Sequence, residues 1–144
     1  MKRIVKPLAA AALTGALILS TTGAALAYSP SKTQTQADAL KTLNLFQGSD
    51  KGYELERAPS RMEALIMLLR MTGQETEARF YEGKHPFTDA PGWGSASAYI
   101  GFAYENGLTK GVSADRYDPN AAASAQTYVA LMLRALGYEA NTAW

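Results

Sequence analysis

The sequence predicts an all-α fold, mainly helical with short extended segments in its loops, and three observations lead there. Met62, Leu65, Ile66 and Leu69 recur at three-and-four spacing, as do Trp93, Ala96, Tyr99, Ile100, Ala103 and Tyr104, which places each set on one buried helix face. SRMEALIMLLRMTG (60–73) aligns with SAQTYVALMLRALG (124–137), pairing Ser60 with Ser124, Leu69 with Leu133, Arg70 with Arg134 and Gly73 with Gly137, all at one constant interval. Such self-similarity indicates a tandem repeat. The stretch YELER (53–57) is too brief for more than a small strand.

The elements follow in order. Lys2, Arg3 and Lys6 precede an apolar run over 8–19, which closes on Ala25, Leu26 and Ala27. That layout predicts a secretory signal peptide over 1–27. The rival reading, a spanning helix, needs about 20 apolar residues, whereas Thr14 and Gly15 interrupt the run and 20–23 end it. Residues 28–36 (YSPSKTQTQ) are polar and without period, so a flexible leader is expected. A helix over 37–43, a Gly-containing turn at 48–52 and the short strand at 53–57 come next.

Ser60 and Glu63 form the Ser-x-x-Glu pattern of a capping box, in which each side chain satisfies the other residue's backbone N–H. Gly73 supplies a left-handed stop. Residues 74–83 should form an amphipathic connector that buries Phe80 and Tyr81. Asp89 can cap a helix with Pro91 in its first turn, running to about Asn106. Upstream of the last helix, Leu108 and Gly111 in GLTKG match Leu45 and Gly48 in LNLFQG with a one-residue shift. Ser124 caps the final helix, but Thr127 stands where Glu63 would be, so the reciprocal half of that box is missing.

Composition excludes several functions. Cleavage after Ala27 would leave residues 28–144, one ordinary domain in length, with 11 basic and 13 acidic residues, a formal charge of −2. No concentrated basic surface remains to displace counterions from nucleic acid, and no further segment is long enough to span a membrane. The chain has no cysteine, which removes disulfides, thiolate nucleophiles and Cys-ligated metal sites. His85, the sole histidine, has no partner at metal-ligand spacing. No Gly-x-Ser-x-Gly elbow exists, and Glu54 and Glu56 look like a solvated strand face. The residues thus predict no enzyme, no metal and no cofactor.

The second copy begins HPFTDAPGW (85–93), continues to YENGLTKGVSADRYDP (104–119) and enters its helix near Ser124. This order of Phe-x-Asp, Trp, Gly-Leu-x-x-Gly, aromatic-x-Pro and capped helix resembles the S-layer homology module. The first copy keeps the later half, with Ser60, Arg61, Met62 and Glu63 where the family's Thr-Arg-Ala-Glu lies. The resemblance covers about 37–138. It divides the chain into a first module at 37–83, incomplete at its N-terminus, a second at 84–138, and a tail or the start of a missing third at 139–144.

The resemblance implies capped helices assembled in a central bundle. It also implies a secreted protein of the cell wall or S-layer, held non-covalently to acidic, often pyruvylated, secondary wall polysaccharide associated with peptidoglycan. Family modules usually work in threes, so a homo-oligomer or a missing third module is a further expectation. The absence of cysteine agrees with a Gram-positive envelope. The alternative is a structural or protein-interaction scaffold of the envelope whose sugar site has decayed.

Five residues are candidates for the polysaccharide. Arg61, beside unpaired N–H groups at a helix start, suits a carboxylate through bidentate hydrogen bonds, and the family uses the matching Arg so; the plain alternative is an Arg that only solubilises the first turn. The second copy has Ala125 there. Lys110 is a second cation or an ordinary turn lysine, and Gly111 lets backbone approach a ligand closely. Trp93 could stack on a sugar ring, although its spacing with Ile100 and Tyr104 favours the core. Asp89 caps a helix and shapes its loop. Ser60, Glu63 and Ser124 are structural caps.

Overall fold

The computed structural model describes residues 30–138, in which five helices follow one another without a sheet: α1 (Pro30–Thr42), α2 (Arg61–Met71), α3 (Glu75–Arg79), α4 (Ala96–Glu105) and α5 (Ala125–Ala135). The all-α class expected from periodicity is the class found. The signal peptide over 1–27 and the tail at 139–144 lie outside the described residues, as do Tyr28 and Ser29 of the leader. No helix among the described residues is long and apolar enough to cross a membrane.

The centre of the fold is α2. Leu65 and Leu69 are fully buried, as is Ile100 of α4, and Met62, Ala78, Tyr99 and Ala103 complete the contact. Burying each large aliphatic side chain contributes roughly 1.5 to 3 kcal/mol, so α2, α3 and α4 hold together as one unit. Phe87, Leu108 and Tyr117 enter the same core from the loops around α4. In addition α2 packs against α5, whereas α1 packs against no other helix among the described residues.

Four expectations are corrected. The leader is helical from Pro30 onward, because a proline fits a first helical turn and its polar successors tolerate a solvated helix. The segment 53–57 is no strand: Glu54 has φ 48°, and the extended pairing nearby is confined to isolated bridges, Ser49 with Gly52 and Ser60 with Ala122.

The third correction concerns the start of α4, which begins at Ala96 and not after Asp89. Gly94 has φ 44°, a conformation no right-handed helix contains, and the carboxylate that was to cap the helix is bound elsewhere. Phe80 is the fourth. It is 74% exposed, while Ala78 and Tyr81 take the inward positions of the connector.

The segments around the two serine caps share backbone geometry. The caps Ser60 (φ −70°, ψ 163°) and Ser124 (φ −72°, ψ 160°) each precede an 11-residue helix. Glu54 and Asp118, each following a tyrosine, both have positive φ (48° and 58°), and Gly48 and Gly111 have 73° and 75°. Non-glycine residues seldom adopt that region, so Glu54 and Asp118 mark a sharp local turn in each segment.

Candidate functional site

The site forms where the first turn of α2 meets the loop before α5. Arg61 N–H donates to the Ala121 carbonyl at 2.8 Å, Met62 N–H to the Pro119 carbonyl at 3.0 Å, and Ala123 N–H to the Pro59 carbonyl at 2.8 Å. Ser60 Oγ accepts from Glu63 N–H at 3.2 Å, and the Glu63 carboxylate accepts from Ser60 N–H at 2.7 Å, so both halves of the capping box are present. These bonds consume the free donors of the helix start. The unpaired N–H groups expected beside Arg61 are therefore absent, and the guanidinium has to attract an anion by itself.

The Arg61 side chain is half-buried and held by one edge. Nε donates to the Tyr117 carbonyl at 2.9 Å, the guanidinium lies 5.0 Å from the centre of the Tyr117 ring, and Tyr117 Oη donates back to the Arg61 carbonyl at 3.2 Å. No carboxylate pairs with it among the described residues. Its terminal amino groups stay available while the rotamer is fixed, which lowers the entropy lost on binding. Tyr117 is almost fully buried; burial raises its phenol to about 12, with the nearby Arg61 charge acting in the opposite direction.

Asp89 supports this arrangement from behind. Its Oδ1 accepts from Tyr117 N–H and its Oδ2 from Asp118 N–H, both at 2.9 Å, and Arg116 Nε lies 3.6 Å away. Burial works to raise the Asp89 carboxyl, but the two backbone donors and Arg116 outweigh it, and the pKa is lowered. The carboxylate clamps the loop that carries Tyr117 instead of capping α4. Arg61 and Asp89 thus meet through Tyr117, a residue that sequence reasoning did not single out; its only signal was its place in the aromatic-x-Pro motif.

The remaining candidates lie apart from that cluster. Trp93 is 52% exposed in the loop before α4, which corrects the core reading, since the helical period that suggested burial does not begin until Ala96. Lys110 is exposed, and no contact ties it to Arg61 among the described residues. Gly111 serves the fold: a Cβ there would lie 2.3 Å from the Phe87 ring and 2.5 Å from the Arg116 carbonyl. Ser124 Oγ accepts from Thr127 N–H at 3.1 Å and also meets Thr127 Oγ1 at 3.0 Å, so Thr127 stays within the cap without closing a box.

Two further features were not anticipated. A cavity of about 330 Å³ lies between the 46–59 loop and α2, with Phe46, Tyr53, Leu55 and Met67 on its apolar side. Its rim carries Arg57, bonded to both Glu63 oxygens at 2.7 Å and to Glu54 at 3.1 Å. His85 sits beside Ser97, Nε2 to Oγ 2.9 Å, but its Nδ1 accepts from Phe87 N–H. A neutral ring in that tautomer donates from Nε2, the reverse of what a base activating Ser97 would do.

Comparison with known proteins adds a domain assignment to this geometry. Residues 86–124 match the family model of the S-layer homology domain. That span holds Phe87, Asp89, Trp93, Lys110, Gly111 and Tyr117, while Arg61 lies outside it. A cell surface protein of Thermoanaerobacter kivui is 30% identical over an alignment that covers 93% of this chain and 19% of that protein. The chain therefore spans about a fifth of the length of that curated relative. No solved structure matches the chain.

Proposed function

We propose that this chain, which carries an S-layer homology domain, is an exported cell-surface protein. It binds acidic, pyruvylated secondary wall polysaccharide non-covalently through two diverged modules, 37–83 and 84–138. The matched domain and the surface-protein relative support the location. The recurrent dihedrals of 48, 54 and 60 at 111, 118 and 124 support two modules.

Arg61 carries the ligand reading. A cation held by Tyr117, with its amino edge unpaired among the described residues, matches a carboxylate such as a pyruvyl ketal. Because the site joins α2 of one module to a loop of the next, it exists only when both are folded. Exposed Trp93 offers an aromatic face to a pyranose, although no contact places it beside Arg61. The binding reading assigns no catalytic step.

A second reading is an envelope scaffold with a decayed sugar site. Ala125 favours it, since the start of α5 has no cation equivalent to Arg61, and so does the consumption of the α2 donors by 119 and 121.

Retention of residues 28–144 on purified Gram-positive sacculi, before and after acid extraction of secondary polymer, tests the proposal. Retention should fall on stripped walls. Arg61→Ala should weaken it by roughly ten- to a hundredfold, the value of a charge-assisted hydrogen bond, and Trp93→Ala should weaken it without moving the thermal midpoint. Equal binding to stripped walls, or full retention by Arg61→Ala, would leave the scaffold reading.

A further inference from the structure

An unbroken run of ring contacts ties Arg61 to His85. The His85 imidazole stacks on the Phe87 ring, centroids 5.6 Å apart and planes at 26°. The Phe87 ring in turn lies 5.9 Å from the Tyr117 ring, on which the Arg61 guanidinium rests at 5.0 Å. Phe87 is buried and packs directly on Gly111, so a shift of its ring presses on Tyr117. Two residues further on, Asp89 of the same segment holds the Tyr117 and Asp118 N–H groups.

This segment is set by a hydrogen bond that only the neutral imidazole makes. Phe87 N–H donates to His85 Nδ1 at 3.2 Å, across Pro86, where an Asn side-chain oxygen would close an Asx turn. A backbone N–H can only donate, so Nδ1 carries a lone pair and the proton of the neutral ring is on Nε2. Nε2 lies 2.9 Å from Ser97 Oγ and donates to it, a contact that survives protonation and keeps the ring in place. A second proton therefore sets Nδ1–H against Phe87 N–H on a ring that is anchored at its other nitrogen.

Nothing nearby offsets the added charge. Among the described residues no carboxylate lies within ion-pair distance of the ring. Lys84, next in the chain, is exposed, and the Asp89 carboxylate is taken up by the 117 and 118 N–H groups and Arg116. Asp115, whose carbonyl accepts from Thr88, turns its carboxylate to Ser113. On α4, residues 96–101 include no charged side chain, and the Tyr99 hydroxyl is engaged with Arg79 and Glu75. Tyr104 meets the Phe87 ring edge-on.

We propose that His85 is a positioning residue whose charge sets the order of Arg61. Neutral, it fixes the Phe87 segment and through it Tyr117 and the guanidinium; protonated, it loosens them. The sign follows from the acceptor role of Nδ1: order is complete where the imidazole is neutral and declines as pH falls through the histidine range, from about 8 to about 5. The loss of one hydrogen bond sets the size of the effect at roughly three- to tenfold. The coupling is a property of the fold, and only its consequence at the wall, weaker retention in acid, rests on the polysaccharide reading.

An NMR titration of residues 28–144 from about pH 8 to about 5 tests it without wall material. The Phe87 amide and the Arg61 Nε–H, which donates to the Tyr117 carbonyl, should shift in step with the His85 ring protons. Protection factors of the Phe87 and Tyr117 amides should fall by roughly three- to tenfold. His85→Asn keeps an acceptor where Nδ1 stands but does not titrate, so it should hold the high-pH signals throughout, whereas His85→Leu should show the acid pattern at both ends. Ser97→Ala frees the ring and should shrink the response. The wild-type titration needs no variant and decides the matter should one fail to fold. An Arg61 Nε–H that ignores the His85 titration overturns the proposal, as does a response that persists in His85→Asn. On sacculi at about pH 5, the wild type should be retained roughly three- to tenfold more weakly than His85→Asn, the titration of the polymer being common to both. Coupled shifts without sacculus binding would refute the sugar site alone, and Arg61-dependent retention with uncoupled shifts would refute the positioning role alone.

Discussion

Gly111 and Gly137 share a left-handed backbone, φ 75° and 82°, yet differ in what surrounds them. A Cβ on Gly111 would overlap Phe87 and the Arg116 carbonyl, whereas one on Gly137 meets nothing within 4 Å. Gly137→Ala should therefore cost only the conformational penalty, about 1 to 2 kcal/mol. Gly111→Ala adds overpacking, for roughly 2 to 5 kcal/mol in all. Urea midpoints of the two variants measure the difference, and equal losses would mean that the Phe87 contact relaxes freely. Both glycines stand out in the sequence as turn residues. The Phe87 contact does not, because it depends on where a separate loop, on the far side of α4, comes to rest.

At the scale of elements, the loop over 115–123 behaves as part of α2. It supplies carbonyls to the helix start, an aromatic face to Arg61 and a bridge to Ser60, and Asp89 pins it by two backbone N–H groups. Asp89→Ala strands those donors and should destabilise the domain by roughly 1 to 3 kcal/mol. It should also lower wall retention, since Arg61 loses its support. Hydrogen exchange at Tyr117 and Asp118 reads the effect directly, and unaltered protection there would show that the clamp is redundant. The capping box of α2 was legible from Ser60 and Glu63 because it is local in sequence. The start of α4 was not, since Asp89 satisfied the rule for a cap while its carboxylate was bound by residues 28 and 29 positions away.

For the whole molecule, acid stability follows from carboxylates paired with arginine. The Arg57 guanidinium beside Glu63 holds that carboxyl at about 2, well below its usual range, helped by the Ser60 backbone. At Glu75 burial acts to raise the pKa, but Arg70 and Arg79 outweigh it and the net shift is downward. Lowered folded-state pKa values mean that the unfolded chain binds more protons in acid. The stability from these pairs is thus complete above about pH 4.5, the unfolded value, and is lost as pH falls toward about 2. The Glu63 side chain is 42% exposed, so solvent screening keeps its share small. Urea midpoints should decline between about pH 5 and 2. Glu63→Gln should flatten that decline while costing little at about pH 2, where the carboxylate is already protonated, and an unchanged slope would place the acid sensitivity elsewhere.

The order of the chain by itself determined the helical class, the helices α2 and α5 and their serine caps, because periodicity and capping act between near neighbours. Tertiary structure decided which groups meet. It took the α2 donors away from any anion, joined Arg61 to Asp89 through Tyr117, turned Phe80 and Trp93 outward and left α1 without a helical neighbour among the described residues. Those outcomes depend on the approach of segments that lie far apart along the chain, and a local pattern carries no record of which loop arrives at a helix end or which of two equivalent faces it covers.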